Sequence, residues 1–121
     1  MFLAIINTRF EFNEKQYGSE TELIKNILVF IAENFRKDIP LSLLAKKVGY
    51  TEAHVSRTFH KYMKIGIPEY VNNLRLEYVF SELKKGDKKV TEVIFDAGFK
   101  SIQSYYRNKL RYEKNLANNN W

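Results

Sequence analysis

One helical pattern occurs twice in this chain, and that repeat limits what the chain can fold into. The first copy runs Leu41, Leu44, Ala45, Val48, Gly49, Tyr50, then Val55, Arg57 and Phe59. The second runs Val90, Val93, Ile94, Ala97, Gly98, Phe99, then Tyr105, Arg107 and Lys109. Gly49 and Gly98 stand 49 residues apart and Arg57 and Arg107 stand 50 apart, so the second copy holds one extra residue in or near its turn. Each copy spells a short helix, a tight turn containing glycine and a second helix, which is the layout of a helix-turn-helix. The expected fold class is all-α: two helix-turn-helix subdomains built as homeodomain-like three-helical bundles and joined by a long linker helix.

Local signals set the expected boundaries. Residues 1–20 read as a leader, the remnant of a larger protein, with Phe2 to Ile6 open to strand or helix. Ser19 and Glu22 have the spacing of a capping box, which places the first helix start near Ser19 or Thr21. Leu23, Ile24, Ile27, Leu28, Phe30, Ile31 and Phe35 then form an apolar face, and Asp38-Ile39-Pro40 ends it. The first subdomain is expected over 21–66, with Gly49 in the turn and Thr51 capping a helix over 52–63. Pro68 suits the first turn of a linker helix over 67–86. The second subdomain is expected over 87–112, and 113–121 reads as a frayed tail.

Composition excludes several classes. The 121 residues are 45 % hydrophobic and 15 % aromatic, enough to build a core. A net charge of +6 and a pI near 9.5 suit an anionic partner, and with two helix-turn-helix copies duplex DNA leads. There is no cysteine, hence no disulfide and no thiolate metal site; a reducing cytoplasm fits. The apolar opening Met1 to Ile6 stops at Asn7, short of a signal sequence, and nothing approaches the roughly 20 apolar residues of a membrane span. His54 and His60 are not spaced as a metal pair, so neither metal nor cofactor is expected. No phosphate loop, nucleophile or carboxylate pair suggests an enzyme.

The stretches LSLLAKKVGYTEAHVSRTFHKY, PEYVNNLRLEYVFSELKKG and VTEVIFDAGFKSIQSYYR together resemble the DNA-binding domain of the AraC/XylS transcription regulators. The resemblance covers about residues 22–112. It rests on spaced landmarks: Leu44-Ala45, Gly49, Arg57 and Phe59, Tyr70, Arg75-Leu76, Gly98-Phe99 and Arg107. It implies seven helices, sequence-specific binding of double-stranded promoter DNA, transcription activation and contact with RNA polymerase. Separately, a linker helix from Ile67 to Lys84, about 25–30 Å long, is expected to hold the two recognition helices about one duplex turn apart, so that a monomer or weak dimer enters two successive major grooves. The alternative is a degenerate helix-turn-helix module that binds protein without reading DNA.

In the first recognition helix, Ala53, Ser56 and Arg57 are the base-contact candidates by this resemblance, and the arginine fork suits guanine. In the second they are Ile102, Gln103, Tyr106 and Arg107, with Gln103 suited to adenine. Phosphate candidates are Lys46, Lys47, Thr51, His60 and Lys61 in the first subdomain and Lys100, Ser101 and Lys109 in the second. For each, the competing reading is a solvated surface; for Arg57 it is a pair with Glu52. Arg75 is expected either on the DNA backbone or in an ion pair with Glu69, Glu77 or Asp96.

Three departures from the family pattern carry expectations. Lys64 stands where glycine is usual, so Gly66 is expected to take over the turn. Lys109 stands where the repeat calls for an aromatic, so Leu110 is expected to substitute by rotation of the helix end. The family's closing element is missing after residue 112, as in a truncated or frame-shifted product. The second subdomain is therefore expected to be the less stable, with Leu110, Tyr112 or Trp121 repairing part of the gap.

Overall fold

The computed structural model describes residues 14–119. They form six helices, with no strand among them: α1 Glu14–Asn34, α2 Leu41–Val48, α3 Glu52–Met63, α4 Ile67–Lys85, α5 Val90–Asp96 and α6 Ile102–Asn119. The all-α expectation holds. The helices make two compact units, one of residues 14–33 with 40–66, the other of 34–39 with 67–119. The expectations for Phe2 to Ile6 and for Trp121 lie outside the described residues.

The first unit is a three-helix cluster. From α1 come Leu23, Ile24, Ile27 and Ile31; from α2, Leu44 and Ala45; from α3, Val55 and Phe59, all buried. Each large side chain so buried contributes about 1.5–3 kcal/mol. Ser19 does not cap α1, which is already helical at Glu14; its hydroxyl lies 3.5 Å from that of Tyr50. The expected capping box is therefore not formed, because the helix continues through it. Without a side-chain cap on α2, the Pro40 carbonyl takes the amides of Leu43 and Leu44. Gly49, at φ 83°, ends α2 and returns its amide to the Ala45 carbonyl.

Lys64 itself closes α3, at φ 68°, returning its amide to His60; Gly66 has no positive φ. The expected transfer of the turn to Gly66 does not occur. The lysine adopts the left-handed conformation that costs an L-residue about 1–2 kcal/mol.

In the second unit α4, α5 and α6 enclose Leu76, Val79, Val93, Ile94, Ala97, Phe99 and Tyr105, with Tyr78, Phe80, Leu83, Ile102 and Tyr112 against them. Phe99 and Tyr105 meet edge to face, centroids 5.6 Å apart, and Phe80 and Tyr112 lie 6.0 Å apart. Leu110 is 68 % exposed, so it does not take the place of Phe59; α6 is not rotated to bring it in. Lys109 stays at the rim, bonded to Glu113 at 2.8 Å. Nor does the chain fray after Tyr112, for α6 continues to Asn119. No glycine or proline interrupts residues 113–119, and Asn115 donates to Glu69 at 3.3 Å.

The segment 34–39 is held in this unit by Arg75. Its Nε donates to the Phe35 carbonyl at 2.7 Å and its terminal nitrogen to the Lys37 carbonyl at 2.8 Å. The expected carboxylate pair with Glu69, Glu77 or Asp96 is not made, because backbone carbonyls occupy the fork. Burial lowers the Arg75 pKa, with Asp38 acting in the opposite direction. Arg36 adds a bond to the Asp96 carbonyl at 2.7 Å and lies over the Tyr78 ring at 4.5 Å. Gly98 (φ 111°) sits beneath this segment: a Cβ there would come within 2.8 Å of the Arg36 carbonyl oxygen and 2.9 Å of Arg75.

Candidate nucleic-acid interface

Each unit presents one exposed, capped helix. Thr51 Oγ accepts the amide of His54 at 3.1 Å, opening α3. Ser101 Oγ accepts the amide of Ser104 at 3.0 Å, opening α6. The two caps are therefore equivalent, and the extra residue of the second copy lies between Gly98 and Ser101. Thr51 and Ser101, candidates for phosphate, are first of all helix caps; a hydroxyl that accepts from an amide keeps its own proton to donate.

Ala53, Ser56, Arg57 and His60 form an exposed stripe along α3. Arg57 makes no ion pair among the described residues, so the Glu52 alternative is not taken up. Arg57 lines an open groove of about 600 Å³ together with Ala45, Lys46, Gly49, Tyr50, Thr51 and His54. Tyr50 and His54 stack there, centroids 5.0 Å apart. Lys46 and Lys47, exposed in the last turn of α2, also form no ion pair among the described residues. Lys47 lines a separate groove with Asn26, Val29, Phe30, Glu33 and Val48, while Lys46 and Arg57 share one concave surface around the turn. Such an arrangement suits the anionic edge of a duplex.

Lys61 is differently placed. Its Nζ lies 3.0 Å from Glu20, whose carboxylate also accepts from the Tyr62 hydroxyl at 2.5 Å. The tyrosine bond first, then the lysine, holds the Glu20 carboxyl below its ordinary pKa, against the opposing effect of burial. Sequence reasoning missed Glu20. The 49-residue offset could have found it, since it pairs Glu20 with Glu69, while the 50-residue offset pairs Lys61 with Arg111. Glu69 does anchor α6: it lies 3.7 Å from Arg111, whose guanidinium also bonds Asn108 and, at 3.2 Å, Asn73. The internal repeat therefore includes the first helix of each unit.

On α6 the exposed stripe is Gln103, Tyr106, Arg107 and Leu110, while Ile102 is half-buried against the core of its unit. Arg107 and Gln103 have no ion pair or side-chain hydrogen bond among the described residues. Lys100 stands 3.6 Å from Asp38 with both side chains largely in water, a pairing worth little. Among the described residues no group of three His, Asp or Glu could hold a metal ion. No helix among them is long and apolar enough to cross a membrane.

Comparison with known proteins extends this geometry. Residues 44–115 match a helix-turn-helix domain family. The chain is 30 % identical over 101 residues to the transposon Tn10 TetD protein of Escherichia coli, covering 84 % of this chain and 72 % of that one. It is 29 % identical over 84 residues to an uncharacterized HTH-type transcriptional regulator of Staphylococcus aureus (strain MSSA476), covering 69 % of this chain but only 11 % of the relative's length. Among solved structures it resembles a Listeria innocua protein described as of unknown function, with a TM-score of 0.65 at 25 % identity over 70 % of this chain and 81 % of that one.

Proposed function

Because the chain belongs to the AraC-type helix-turn-helix family, we propose that it is a transcription regulator that binds duplex DNA sequence-specifically and activates transcription. The observation that carries this reading is the pair of capped, exposed helices, each with an outward arginine, Arg57 or Arg107, that no carboxylate neutralises among the described residues. An exposed guanidinium without a protein partner keeps its whole fork for a base edge or a phosphate.

In this reading Arg57 grips guanine, Ser56 and Ala53 line the same groove floor, and Lys46, Lys47, Thr51 and His60 meet phosphates. Lys61 meets phosphate only at the expense of its Glu20 contact. In the second unit Gln103, Tyr106 and Arg107 face bases, and Ile102 supports the helix start from the core. Lys100, Ser101 and Lys109 meet phosphate at its edge. A monomer places each helix in one of two successive major grooves. Activation follows from contact with RNA polymerase at the promoter.

Selection of bound duplexes from a random pool, followed by footprinting, tests this. The expected footprint covers two successive major grooves on one face, with affinity falling steeply as salt rises. Arg57→Ala is expected to cost about 1–3 kcal/mol at the selected site and to relax one base position. Transcription in vitro from a promoter carrying that site is expected to rise on adding the protein. Binding that is the same for all sequences, or unchanged by Arg57→Ala, counts against the assignment.

A further inference from the structure

We propose that the second helix-turn-helix reads its half-site through thymine C5-methyl groups; the inference rests on the duplex-DNA reading above and names the base class for one half of the site. The starting observation is a difference between the two exposed stripes. Where α3 shows Ala53, Ser56, Arg57 and His60, α6 shows Gln103, Tyr106, Arg107 and Leu110. Tyr106 is 54 % exposed and Leu110 68 %. They stand four residues apart on one helix face and are therefore neighbours.

Neither side chain serves the core of its unit, which Phe99 and Tyr105 close. The Tyr106 ring meets Tyr105 edge to face with centroids 4.8 Å apart, so it has an ordered neighbour on one side. Gln103 and Arg107 stand beside these apolar groups on the same stripe. An apolar protein surface laid on that stripe would have to bury an amide and a guanidinium without partners, which is costly. A major groove has no such conflict. Adenine offers N6 and N7 to an amide and guanine offers O6 and N7 to a guanidinium, while the thymine methyl is the apolar projection on the groove floor. An A·T pair presents a target for Gln103 and a methyl for Tyr106 or Leu110 together.

The turn helices differ in the same direction. By the 49-residue offset, Lys46 and Lys47 of the first unit correspond to Phe95 and Asp96 of the second. At these two positions the second unit has an exposed aromatic and an acid in place of two lysines, while its turn keeps one cation, Lys100. Its share of recognition is therefore shifted from phosphate charge toward apolar contact.

The test uses the full chain and a duplex selected by it from a random pool. A parallel selection with Arg57→Ala marks the first half-site by the base preference that it loses. The selected duplex is then resynthesised with deoxyuridine for thymidine in the second half only. Each contacted methyl removed is expected to weaken binding by roughly three- to fourfold. Tyr106→Ala and Leu110→Ala, both at exposed helical positions, are expected to weaken binding and to lose most of the sensitivity to uracil. Circular dichroism checks that both variants are folded. Equal affinity for thymine and uracil, a selected second half without thymine, or full uracil sensitivity in both variants overturns the inference and leaves sequence-specific DNA binding standing. Failure to select any duplex overturns both.

Discussion

In the first unit the large aromatic of the core, Phe59, enters from the recognition helix, and the aromatic of the turn, Tyr50, is 43 % exposed. In the second unit the positions are exchanged. Phe99, the counterpart of Tyr50, is only 3 % exposed, while the recognition helix has Lys109 at the rim where Phe59 would stand. The single extra residue between Gly98 and the Ser101 cap accompanies this exchange. It lengthens the turn enough for Phe99 to point inward against Tyr105. The same core volume can thus be filled from either side of a turn. The missing aromatic at position 109 is accompanied by two buried aromatics elsewhere in the unit, Phe99 from the turn and Tyr105 where the first unit has Val55.

The largest test of this comparison is truncation of the two plugs. Phe59→Ala and Phe99→Ala are each expected to cost about 3–5 kcal/mol, and Tyr50→Ala less than about 1 kcal/mol, measured by urea unfolding. Lys109→Phe is expected to bring no gain. A marked stabilisation by Lys109→Phe would show that the second core has space left and would break the comparison.

The two turn glycines sharpen it. Gly49 has no atom within 4 Å of where a Cβ would be, whereas Gly98 faces the Arg36 carbonyl. Gly49→Ala is expected to cost about 1–2 kcal/mol, the left-handed backbone alone. Gly98→Ala adds an overpacking cost and is expected to reach about 2–4 kcal/mol. Equal losses would show that the approach of segment 34–39 yields freely.

A smaller effect of opposite sign is expected at Lys64. Glycine there relieves the left-handed strain but loses more entropy on folding. The net gain of Lys64→Gly is expected to be about 0.5–1 kcal/mol, read as a rise in midpoint. No rise would mean that the lysine contributes something the backbone argument omits.

The smallest effect is acid dependence at Glu20. Its pKa is lowered in the folded state, so its stabilisation is complete above the ordinary carboxylate value and fades as pH falls through the folded value. Between about pH 6 and pH 3 the wild type is expected to lose more stability than Glu20→Gln. Tyr62→Phe is expected to reduce that loss, since the tyrosine makes the leading bond. Parallel pH profiles for the wild type and Glu20→Gln would remove the anchor from the account of the first unit.

Much of the fold could be read from residue spacing because helix periodicity and turn glycines are local signals. Val55, Phe59, Val93 and Ile94 are buried as their spacing requires, and Gly49 ends α2 as expected. The errors lie where a non-local partner decides. Arg75 had three carboxylates in reach by sequence, yet it holds carbonyls of a segment some forty residues earlier. Leu110 looked like a plug only because the inward turn of Phe99 could not be seen from periodicity. Ser19 had capping spacing, but nothing local stopped the helix that already ran through it. On the candidate interface, spacing picked out which residues share a stripe. It also marked Thr51 as a cap, but it did not show that Ser101 is one or that Lys61 is engaged by Glu20.

The grip of Arg75 on Phe35 and Lys37 also bears on how such a repeat can be cut and rearranged. A fragment of residues 67–119 would carry the second helix-turn-helix complete in sequence, yet it would lack the strip that covers Gly98 and fills the arginine fork. The shortest continuous piece that includes the strip begins at residue 34, and it takes α2 and α3 with it. The two copies are therefore not interchangeable cassettes. Circular permutation or grafting of the second copy onto another scaffold would have to supply the six residues 34–39 in trans or on a new linker.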